Sequence, residues 1–392
     1  QWRGSTVAAE LPLTAQIVII GGGVMGASTA YHLAKAGATE VLLLERSAHL
    51  EDAATSRCAG GVRYQFATPV NIELSKTSLP MLERFKDELG VDPQYRQIGY
   101  LFVLTRPQDV ETFRATVELQ RRMGVNTEWL DGDGVRRRLP VMRFEDALAG
   151  TIHPKDGLAD PSSVNLGYLN RAREFGVRVA METEAIGVYL EHDRVASVTT
   201  SRGPVECEHV VDAAGPWAAT VGQLVGLDIP IRPVRRQMVT TTPIPELPPD
   251  FPFVIDFARS LYFHPEGEGL LTGMSNPDQP AGFDQTIDED WEVAALEAAM
   301  QRMPLLEKAG RLASGAGLYE VTPDAHPIFG PTEIDGFWIV AGFSGHGFMH
   351  GPVAGKLMSE FILEGRAHTV DVSMLDLARF KAGRPIREYN VI

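Results

Sequence analysis

The sequence of 392 residues is longer than one ordinary domain, and its 44% hydrophobic and 22% charged residues are typical of a folded globular protein. Its 36 Lys and Arg residues are outnumbered by 51 Asp and Glu residues, and the net charge of −15 excludes broad binding to nucleic-acid phosphates. Cys58 and Cys207 are too few and too far apart for a disulfide framework or a CxxC metal site, so no metal is expected.

The cellular setting is predicted from what the sequence lacks. No window contains the roughly 18 uninterrupted apolar residues that a membrane span needs. Residues 1–16 lack the charged-then-apolar layout of a secretion signal and are predicted to be a loosely held terminus. Together with the sparse cysteines, these features indicate a reducing, cytoplasmic location.

The structured part is predicted to open with an apolar strand at 16–20, followed by a glycine turn and a helix. The turn contains Gly21, Gly23 and Gly26 in the spacing GxGxxG. The first glycine permits a tight turn, the second lets the backbone approach a pyrophosphate, and the third lets the helix pack closely on the strand. Because the helix N-terminus also offers free N–H groups, the motif predicts a phosphate-binding site.

A second strand at 40–45 completes a βαβ unit. It ends in Glu45, 19 residues after Gly26, at the spacing where a carboxylate accepts the ribose hydroxyls of an adenosine. An acid at this position disfavours a 2′-phosphate, although Arg46 is adjacent. The unit is therefore predicted to bind a dinucleotide other than NADP.

The next segment departs from the strand–helix alternation of nicotinamide-binding proteins. Residues 51–66 form a loop of small residues, whose hydroxyls and glycine N–H groups can surround a phosphate and a ribityl chain. Arg63 lies at the end of this loop, and its planar guanidinium suits a substrate carboxylate. A structural ion pair is the alternative interpretation of Arg63. Cys58 is more typical of a small core residue than of a reactive thiol.

The rest of the chain is predicted from periodicity and turn residues. Helices are predicted at 70–89, 107–123, 162–175, 289–303 and about 351–364, and extended segments at 98–105, 147–153, 178–181, 184–191, 193–200, 209–214, 231–242, 260–274 and 337–342. The segments at 209–214 and 337–342 each end in a small-residue turn before a helix, which repeats the arrangement of the first motif. Both turns are therefore predicted to border the same ligand.

Taken together, the motifs GGGVMG, Glu45, TSRCAGGVR, VVDAAGPW, GLYEVTPDAHPIFG and AGFSGHGF resemble those of the flavin-dependent amino-acid oxidoreductases of the D-amino-acid oxidase superfamily. Within it the chain is most similar to sarcosine oxidase beta subunits and the beta subunit of L-proline dehydrogenases, over about residues 15–365. The resemblance implies an α/β (α+β overall) fold. In that fold, a Rossmann-like FAD-binding domain of the glutathione-reductase/p-hydroxybenzoate-hydroxylase type is interleaved with a β-sheet-rich substrate domain. It assigns 14–90, 146–224 and 326–380 to the FAD-binding domain, and 91–145 and 225–325 to the substrate domain.

The resemblance also implies site residues. For the substrate it implies Arg63 at the carboxylate, Tyr262 or His264 closing the pocket, and Met349 in the place of a second anchoring residue. The implied FAD contacts are Gly21, Gly23, Val24, Met25, Gly26, Glu45, Arg46, Thr55, Ser56, Arg57, Ala59, Gly60, Gly61, Ala214, Gly215, Trp217, Gly345, His346, Gly347, Phe348 and Met349.

Several positions depart from the family's pattern. Leu318 precedes Tyr319 where monomeric sarcosine oxidases carry the cysteine that tethers FAD, so noncovalent FAD is expected. Leu271 and Met349 replace two family lysines, one that helps to activate oxygen and one that binds carboxylate. Pro161 or a neighbour replaces the histidine that tethers a second flavin, FMN. The departures imply one flavin and a dehydrogenase or a slow oxidase, with an electron carrier or oxygen as acceptor.

The expected activity is oxidation of the C–N bond of a small amino acid, or of an N-methyl or secondary amino acid of the sarcosine, dimethylglycine, L-proline or glycine type. Hydride would pass to flavin N5, and the resulting imine would hydrolyse, while the protein orients and desolvates the substrate. An NAD-linked dehydrogenase and a non-catalytic flavoprotein assembly subunit are the alternatives. The expected partners are the amino acid, and further copies of the chain or other oxidoreductase subunits, with no nucleic acid.

Overall fold

The computed structural model describes residues 11–391, so most of the terminus predicted at 1–16 lies outside the described residues. In chain order the strands are β1 Ile17–Ile20, β2 Val41–Leu44, β3 Gly61–Val62, β4 Tyr100–Leu104, β5 Glu128–Asp131, β6 Ala149–His153, β7 Gly157–Leu158, β8 Arg178–Ala180, β9 Ala185–Glu191, β10 Arg194–Thr200, β11 Gly203–Glu206, β12 His209–Asp212, β13 Arg232–Thr241, β14 Phe253–Asp256, β15 Leu261–Glu266, β16 Gly269–Met274, β17 Arg311–Val321, β18 Ile328–Pro331 and β19 Phe337–Ala341. The helices are α1 Val24–Lys35, α2 Pro69–Glu83, α3 Phe85–Leu89, α4 Pro107–Arg122, α5 Gly132–Arg138, α6 Pro161–Glu174, α7 Ala218–Gln223, α8 Glu289–Arg302, α9 Gly347–Glu364 and α10 Ala378–Lys381.

A six-stranded sheet in the order β18-β19-β12-β1-β2-β8 forms the nucleotide-binding half. Its strands pair in parallel except for β18, which runs antiparallel to β19. Strands β1 and β2 are apolar at every position because both faces of the sheet are covered. Alternate residues pack against α1 and α9 on one face and against the three-stranded sheet β11-β10-β9 on the other. The predicted fold class is confirmed.

An eight-stranded sheet in the order β17-β13-β16-β15-β14-β4-β6-β5 forms the second half. Its two faces belong to two separate apolar clusters, and α8 packs on one of them through Ala299. Strand β6 pairs with β4 and β5 in this sheet, although the predicted division assigned 146–224 to the FAD-binding domain. Antiparallel pairing with β4 holds β6 there.

Three local predictions differ from the structure. The helix predicted at 70–89 is interrupted at Arg84, which leaves α2 and α3. The extended segment at 260–274 is a hairpin of β15 and β16, whose turn contains Gly267 at a φ of 56°. Helix α9 begins at Gly347 rather than near 351, so Pro352 lies inside it.

Candidate active site

A cleft lies between the carboxyl edge of the six-stranded sheet and one face of the eight-stranded sheet. Ligands of open α/β sheets bind at this edge because the strand-to-helix turns and the helix N-termini converge there. The residues predicted to contact the cofactor line this cleft, with two exceptions, Gly26 and Ser56. Segments more than 300 residues apart in sequence thus meet at one site.

The glycine turn has the backbone that its sequence predicts. Gly21 adopts a φ of 115°, and a Cβ there would overlap the carbonyl oxygen of Ala213. Gly26 does not line the cleft because it packs on the turn, where a Cβ would overlap the carbonyl oxygen of Gly21. Its role is therefore to bring α1 close to β1. The first N–H of α1, on Val24, donates to Thr55 Oγ1 at 3.0 Å.

Glu45 and Arg46 form one end of the cleft. Glu45 Oε2 accepts from Gly22 N at 2.8 Å, and Oε1 accepts from Ser47 N at 2.8 Å. The Arg46 guanidinium lies 3.8 Å from the centre of the Trp217 ring. A carboxylate with free lone pairs beside a stacked Arg–Trp pair suits a ribose and a planar base.

The loop that follows β2 contributes the middle of the cleft. Thr55, Arg57 and Ala59–Gly61 line it, and Gly60 needs its φ of 73° because a Cβ would overlap the carbonyl oxygen of Ala159. Ser56 was predicted to bind the cofactor, but its hydroxyl donates to the Leu50 carbonyl at 3.0 Å. The residue lines a second cavity, which His264 and Leu271 also line. The short 3-10 turn Ala54–Arg57 points successive side chains in different directions, which accounts for this error.

The late turn brings a second helix N-terminus to the same cleft. Residues 344–349 line it, and α9 begins at Gly347. Gly345 adopts a φ of 94°, and a Cβ there would overlap Cε2 of Tyr319. Helices α1 and α9 pack directly on each other, since a Cβ at Gly355 would overlap Ser28. Both N-termini therefore direct positive potential into one cleft.

His346 is a neutral, buried ring in this turn. It is 1% exposed and lies between Phe66 and His350, at centroid distances of 5.3 Å from each. Burial holds the pKa of His346 well below its usual value. Neither ring nitrogen has a hydrogen-bond partner among the described residues. His346 thus lines the cleft, and its predicted contact with the cofactor stays a prediction.

An arginine and two tyrosines from the second sheet occupy the other end of the cleft. Arg236, Tyr262 and Tyr319 all line it, and the Arg236 guanidinium lies 5.1 Å from the centre of the Tyr319 ring. Burial lowers the pKa of Arg236, and its Nε has no hydrogen-bond partner among the described residues. The Phe253 ring stacks on the Tyr262 ring, with 6.0 Å between the ring centres, and completes this wall of the cleft. A half-buried guanidinium with a buried, unused Nε donor beside an aromatic ring suits a small carboxylate.

The sequence did not predict a role for Arg236; from this sheet it predicted Tyr262 and His264 as pocket residues. The signal available was the arginine pair in the middle of the ten-residue strand β13, since charged residues rarely sit inside a sheet without a partner. Its neighbour Arg235 points to the opposite face and pairs with Asp284 and Asp288. Sequence alone does not tell which of the two faces the cleft.

Arg63 lines the cleft, but its donors are already engaged. The residue is 5% exposed, with its guanidinium 3.9 Å from the centre of the Phe66 ring. Nη1 donates to the Gln65 carbonyl and Nη2 donates to the Asn390 carbonyl. Burial lowers the pKa of Arg63. Its predicted contact with a substrate carboxylate stays a prediction, and the structure assigns it a second task of holding the segment that contains Asn390.

His264 does not line the cleft. It lies two residues beyond Tyr262 on β15, about 7 Å farther along the strand, and faces the second cavity together with Leu271. Its Nδ1 donates to the Pro265 carbonyl at 3.0 Å, and burial lowers its pKa to about 4. The ring packs 5.0 Å from Phe253 and so supports the wall of the cleft. The expectation that His264 shapes the pocket directly is therefore corrected.

The two cysteines are unpaired. Cys58 lines the cleft, and burial raises the pKa of both thiols to about 12, so neither is held as a thiolate. Among residues 11–391 there is no group of three His, Cys, Asp or Glu side chains that could hold a metal ion. Within the same range no helix has the length and apolar character to cross a bilayer.

Known proteins are similar to this chain in sequence and in fold. The family model described as DAO, FAD dependent oxidoreductase, matches residues 16–361. The chain is 32% identical over 387 residues to dimethylglycine dehydrogenase, mitochondrial, from Rattus norvegicus, and 30% identical over 401 residues to sarcosine dehydrogenase, mitochondrial, from Homo sapiens. These alignments cover 93% and 96% of this chain but only 45% and 43% of the relatives, so the chain spans less than half of their length.

Solved structures match the chain as well. The crystal structure of L-proline dehydrogenase from P. horikoshii superposes with a TM-score of 0.89 at 30% sequence identity. The match covers 96% of this chain and 100% of that one.

Proposed function

This chain belongs to the DAO family of FAD dependent oxidoreductases, and on that premise we propose that it oxidises the C–N bond of a small amino acid, preferably an N-methyl or secondary one. The observation that carries the proposal is the half-buried Arg236, whose buried Nε has no hydrogen-bond partner among the described residues, beside Tyr319 in the part of the cleft that the eight-stranded sheet lines. The family's cofactor, FAD, decides against the NAD-linked alternative.

The residues present fit FAD. The glycine turn and the α1 N-terminus would hold the pyrophosphate, and Glu45 with the Arg46–Trp217 pair would hold the adenosine. The turn at 344–349 and the α9 N-terminus would border the flavin. When bound, FAD supplies the two-electron oxidation of the amine. The remaining chemistry belongs to the residues of the chain.

Arg236 would bind and orient the substrate carboxylate. A guanidinium is an effective carboxylate ligand when it is desolvated, because the charge-assisted hydrogen bonds are then screened little by water. The rings of Tyr262, Tyr319 and Phe253 exclude water and limit the size of the side chain. The amine must arrive unprotonated, since only a free lone pair assists the loss of the neighbouring hydrogen. The product imine would then hydrolyse in water.

The names of the relatives support the substrate class. They specify dimethylglycine, sarcosine and L-proline, which are small amino acids with a secondary or tertiary nitrogen. All three names are those of dehydrogenases, which favours an electron carrier over oxygen as acceptor and agrees with Leu271 in place of a lysine. Noncovalent FAD, assembly with further copies or other subunits, and a cytoplasmic location remain parts of the proposal.

Anaerobic reduction of the bound flavin tests the proposal. The yellow protein is mixed without oxygen with sarcosine, dimethylglycine, L-proline or glycine, and the loss of flavin absorbance is followed before air is admitted. We expect at least one of the secondary or tertiary amino acids to bleach the flavin, and reoxidation in air to be slow. Dimethylamine, which lacks the carboxylate, is the matched control and should not bleach it. A flavin that no amino acid bleaches would favour the non-catalytic assembly subunit instead.

A further inference from the structure

Glu320 is a half-buried residue with a buried Oε2 that the proposed mechanism does not use. It lies on β17 and lines the cleft, between the turn after β12 and the turn before α9. Its Oε1 accepts from the N–H of Phe343 at 3.2 Å. Its Oε2 is buried, and a Cβ at Gly215 would lie 3.5 Å from it. The carboxyl is thus held by one oxygen beside two stretches that border the cofactor cleft.

The second oxygen of Glu320 has no partner. Within residues 11–391 no hydrogen bond to Oε2 is present, and no Lys, Arg or His side chain forms an ion pair with it. A buried carboxylate oxygen without a donor is costly, whereas a protonated oxygen can itself donate to a ligand. The empty hydrogen-bonding position therefore indicates a ligand acceptor on this side of the cleft.

The groups that surround Glu320 add no positive charge. Asp212, at the end of β12, is fully buried, and its Oδ2 also lacks a partner. Tyr319 is adjacent on β17, and Pro233 is the cross-strand neighbour on β13. His346, in the turn before α9, is held neutral by burial. Two carboxyl groups in an environment without a counter-ion, next to the site of an anionic cofactor, do not both ionise.

We propose that Glu320 enters the FAD complex as a neutral carboxylic acid, whose Oε2–H donates a hydrogen bond to an oxygen of the cofactor. Glu320 is then a cofactor-positioning residue. Phosphate and flavin carbonyl oxygens only accept hydrogen bonds, so a neutral acid can serve them where a carboxylate would repel them. The inference rests on the FAD site of the family and not on the proposed amino-acid substrate.

The proposal makes FAD affinity depend on pH. Burial raises the pKa of Glu320 to about 7, and it raises that of Asp212 well above its ordinary value. The negative charge of FAD raises the pKa of Glu320 further in the complex, so binding above pH 7 takes up a proton. By linkage, the dissociation constant for FAD rises with pH, by about tenfold per pH unit between pH 7 and pH 9 at the one-proton limit.

Release of FAD from the holoprotein measures this dependence without any substrate. The holoprotein is diluted in the dark to nanomolar concentration between pH 6 and pH 9, and the released FAD is measured by its fluorescence. We expect the wild type to release progressively more FAD above pH 7. Glu320→Gln keeps a donor in its amide but cannot titrate, so its affinity for FAD should depend on pH much less steeply than that of the wild type.

Two further variants separate the role of Glu320 from general effects. Glu266→Gln removes an exposed carboxyl that faces the second cavity, and its affinity for FAD should change with pH as steeply as that of the wild type. Glu320→Leu removes the donor and should weaken FAD binding at pH 6 by about tenfold. If Glu320→Leu does not fold, the comparison of Glu320→Gln with the wild type is the deciding test. The proposal is overturned if the release of FAD from the wild type does not change with pH. It is also overturned if the FAD affinity of Glu320→Gln changes with pH as steeply as that of the wild type. Failure of amino-acid bleaching leaves it standing.

Discussion

Arg235 and Arg236 are adjacent on β13, but only Arg236 lines the cleft. We expect Arg236→Met to raise KM for the amino-acid substrate by roughly a hundredfold, because a desolvated, charge-assisted interaction with the carboxylate is lost. FAD content should not change, because Arg236 lies at the substrate end. Steady-state kinetics with the amino acid that bleaches the flavin, and the absorbance ratio of flavin to protein, provide the two measurements.

Arg235→Met is the matched control for this prediction. It removes the same charge from the same strand but breaks ion pairs with Asp284 and Asp288, away from the cleft. We expect its KM to remain within about twofold of the wild type. Equal KM values for the two variants would show that Arg236 does not bind the carboxylate, and Arg63 would then be the remaining candidate.

His32 provides a prediction about stability at the level of one residue. It is 8% exposed on α1, its Nδ1 donates to the Ser28 carbonyl at 2.9 Å, and burial lowers its pKa to about 4. The pKa of His32 is lower in the folded protein than in the unfolded one. The stabilisation that the neutral ring gives to the folded protein is therefore complete above pH 6.5 and is lost as the pH falls towards 4. We expect the unfolding free energy of the wild type, relative to His32→Gln, to fall by about 1 kcal/mol between pH 6 and pH 5.

Urea unfolding at pH 7, 6 and 5 measures this difference, because other buried groups are common to both proteins and cancel. Exposed His49→Gln is the control for replacing a histidine at the surface. A constant difference for His32→Gln would show that the His32 ring is protonated equally in the folded and unfolded protein.

Single residues were predicted from sequence where the constraint is local. Gly21 and Gly345 sit where only a glycine fits, and the motif spacing identifies them. Arg236 and Glu320 were missed because their roles depend on which face of a strand meets a distant turn. The engagement of Arg63 by the Asn390 carbonyl joins residues 327 positions apart, and no pattern in the sequence records it.

Among the secondary-structure elements, the N-terminal turn of α9 is the most constrained. Gly345→Ala must adopt a φ of 94° and place a Cβ on the Tyr319 ring, so either the turn or the ring has to move. We expect this variant to lose most of its bound FAD and to raise KM, because the turn and Tyr319 line the same cleft. Flavin absorbance per protein and steady-state kinetics are the measurements.

Gly365→Ala tests whether backbone strain alone explains such a loss. Gly365 ends the same helix at a φ of 77°, and a Cβ there would meet no atom within 4 Å. We expect destabilisation of about 1 kcal/mol from the left-handed backbone, with full FAD content. Equal FAD loss in both variants would assign the effect to the helix as a whole rather than to the turn beside Tyr319.

Elements with a clear period were predicted well, and their ends less so. The runs IVII and VLLL are buried at every position, which indicates strands covered on both faces. The predicted start of α9 lies too far along the sequence, because proline favours the first turn of a helix. Pro352 is instead the sixth residue of α9. Strand β14 was missed because it directly follows a proline-rich loop. Its parallel pairing with β4 depends on tertiary structure.

At the scale of the whole molecule, the cleft is a seam between two sheets. The six-stranded sheet contributes the glycine turn and the turn after β12, and the eight-stranded sheet contributes Arg236, Tyr262 and Tyr319. The order of motifs along the chain predicts that such a seam exists. It does not predict strand order, or that β6 joins the eight-stranded sheet, because these follow from long-range pairing. A ligand held in the seam contacts both halves and couples their stability.

Removal of FAD should therefore destabilise the whole chain. With free FAD at 100 times its dissociation constant, binding adds about 2.7 kcal/mol to the unfolding free energy. For a chain of this length that corresponds to a rise in Tm of roughly 3 °C. Differential scanning calorimetry of protein with and without added FAD measures the shift. An unchanged Tm, or a shift confined to one of two transitions, would show that FAD does not hold the two sheets together.

The same preparation tests whether the cofactor is noncovalent. Acid precipitation unfolds the protein, so a noncovalent flavin should appear in the supernatant and leave a colourless pellet. Cys58 is the cysteine that lines the cleft, and Cys58→Ser should behave like the wild type because burial keeps its thiol protonated. Flavin retained in the wild-type pellet but released from Cys58→Ser would overturn the prediction and identify Cys58 as the point of attachment. Retention by both proteins would place the attachment at another residue of the cleft.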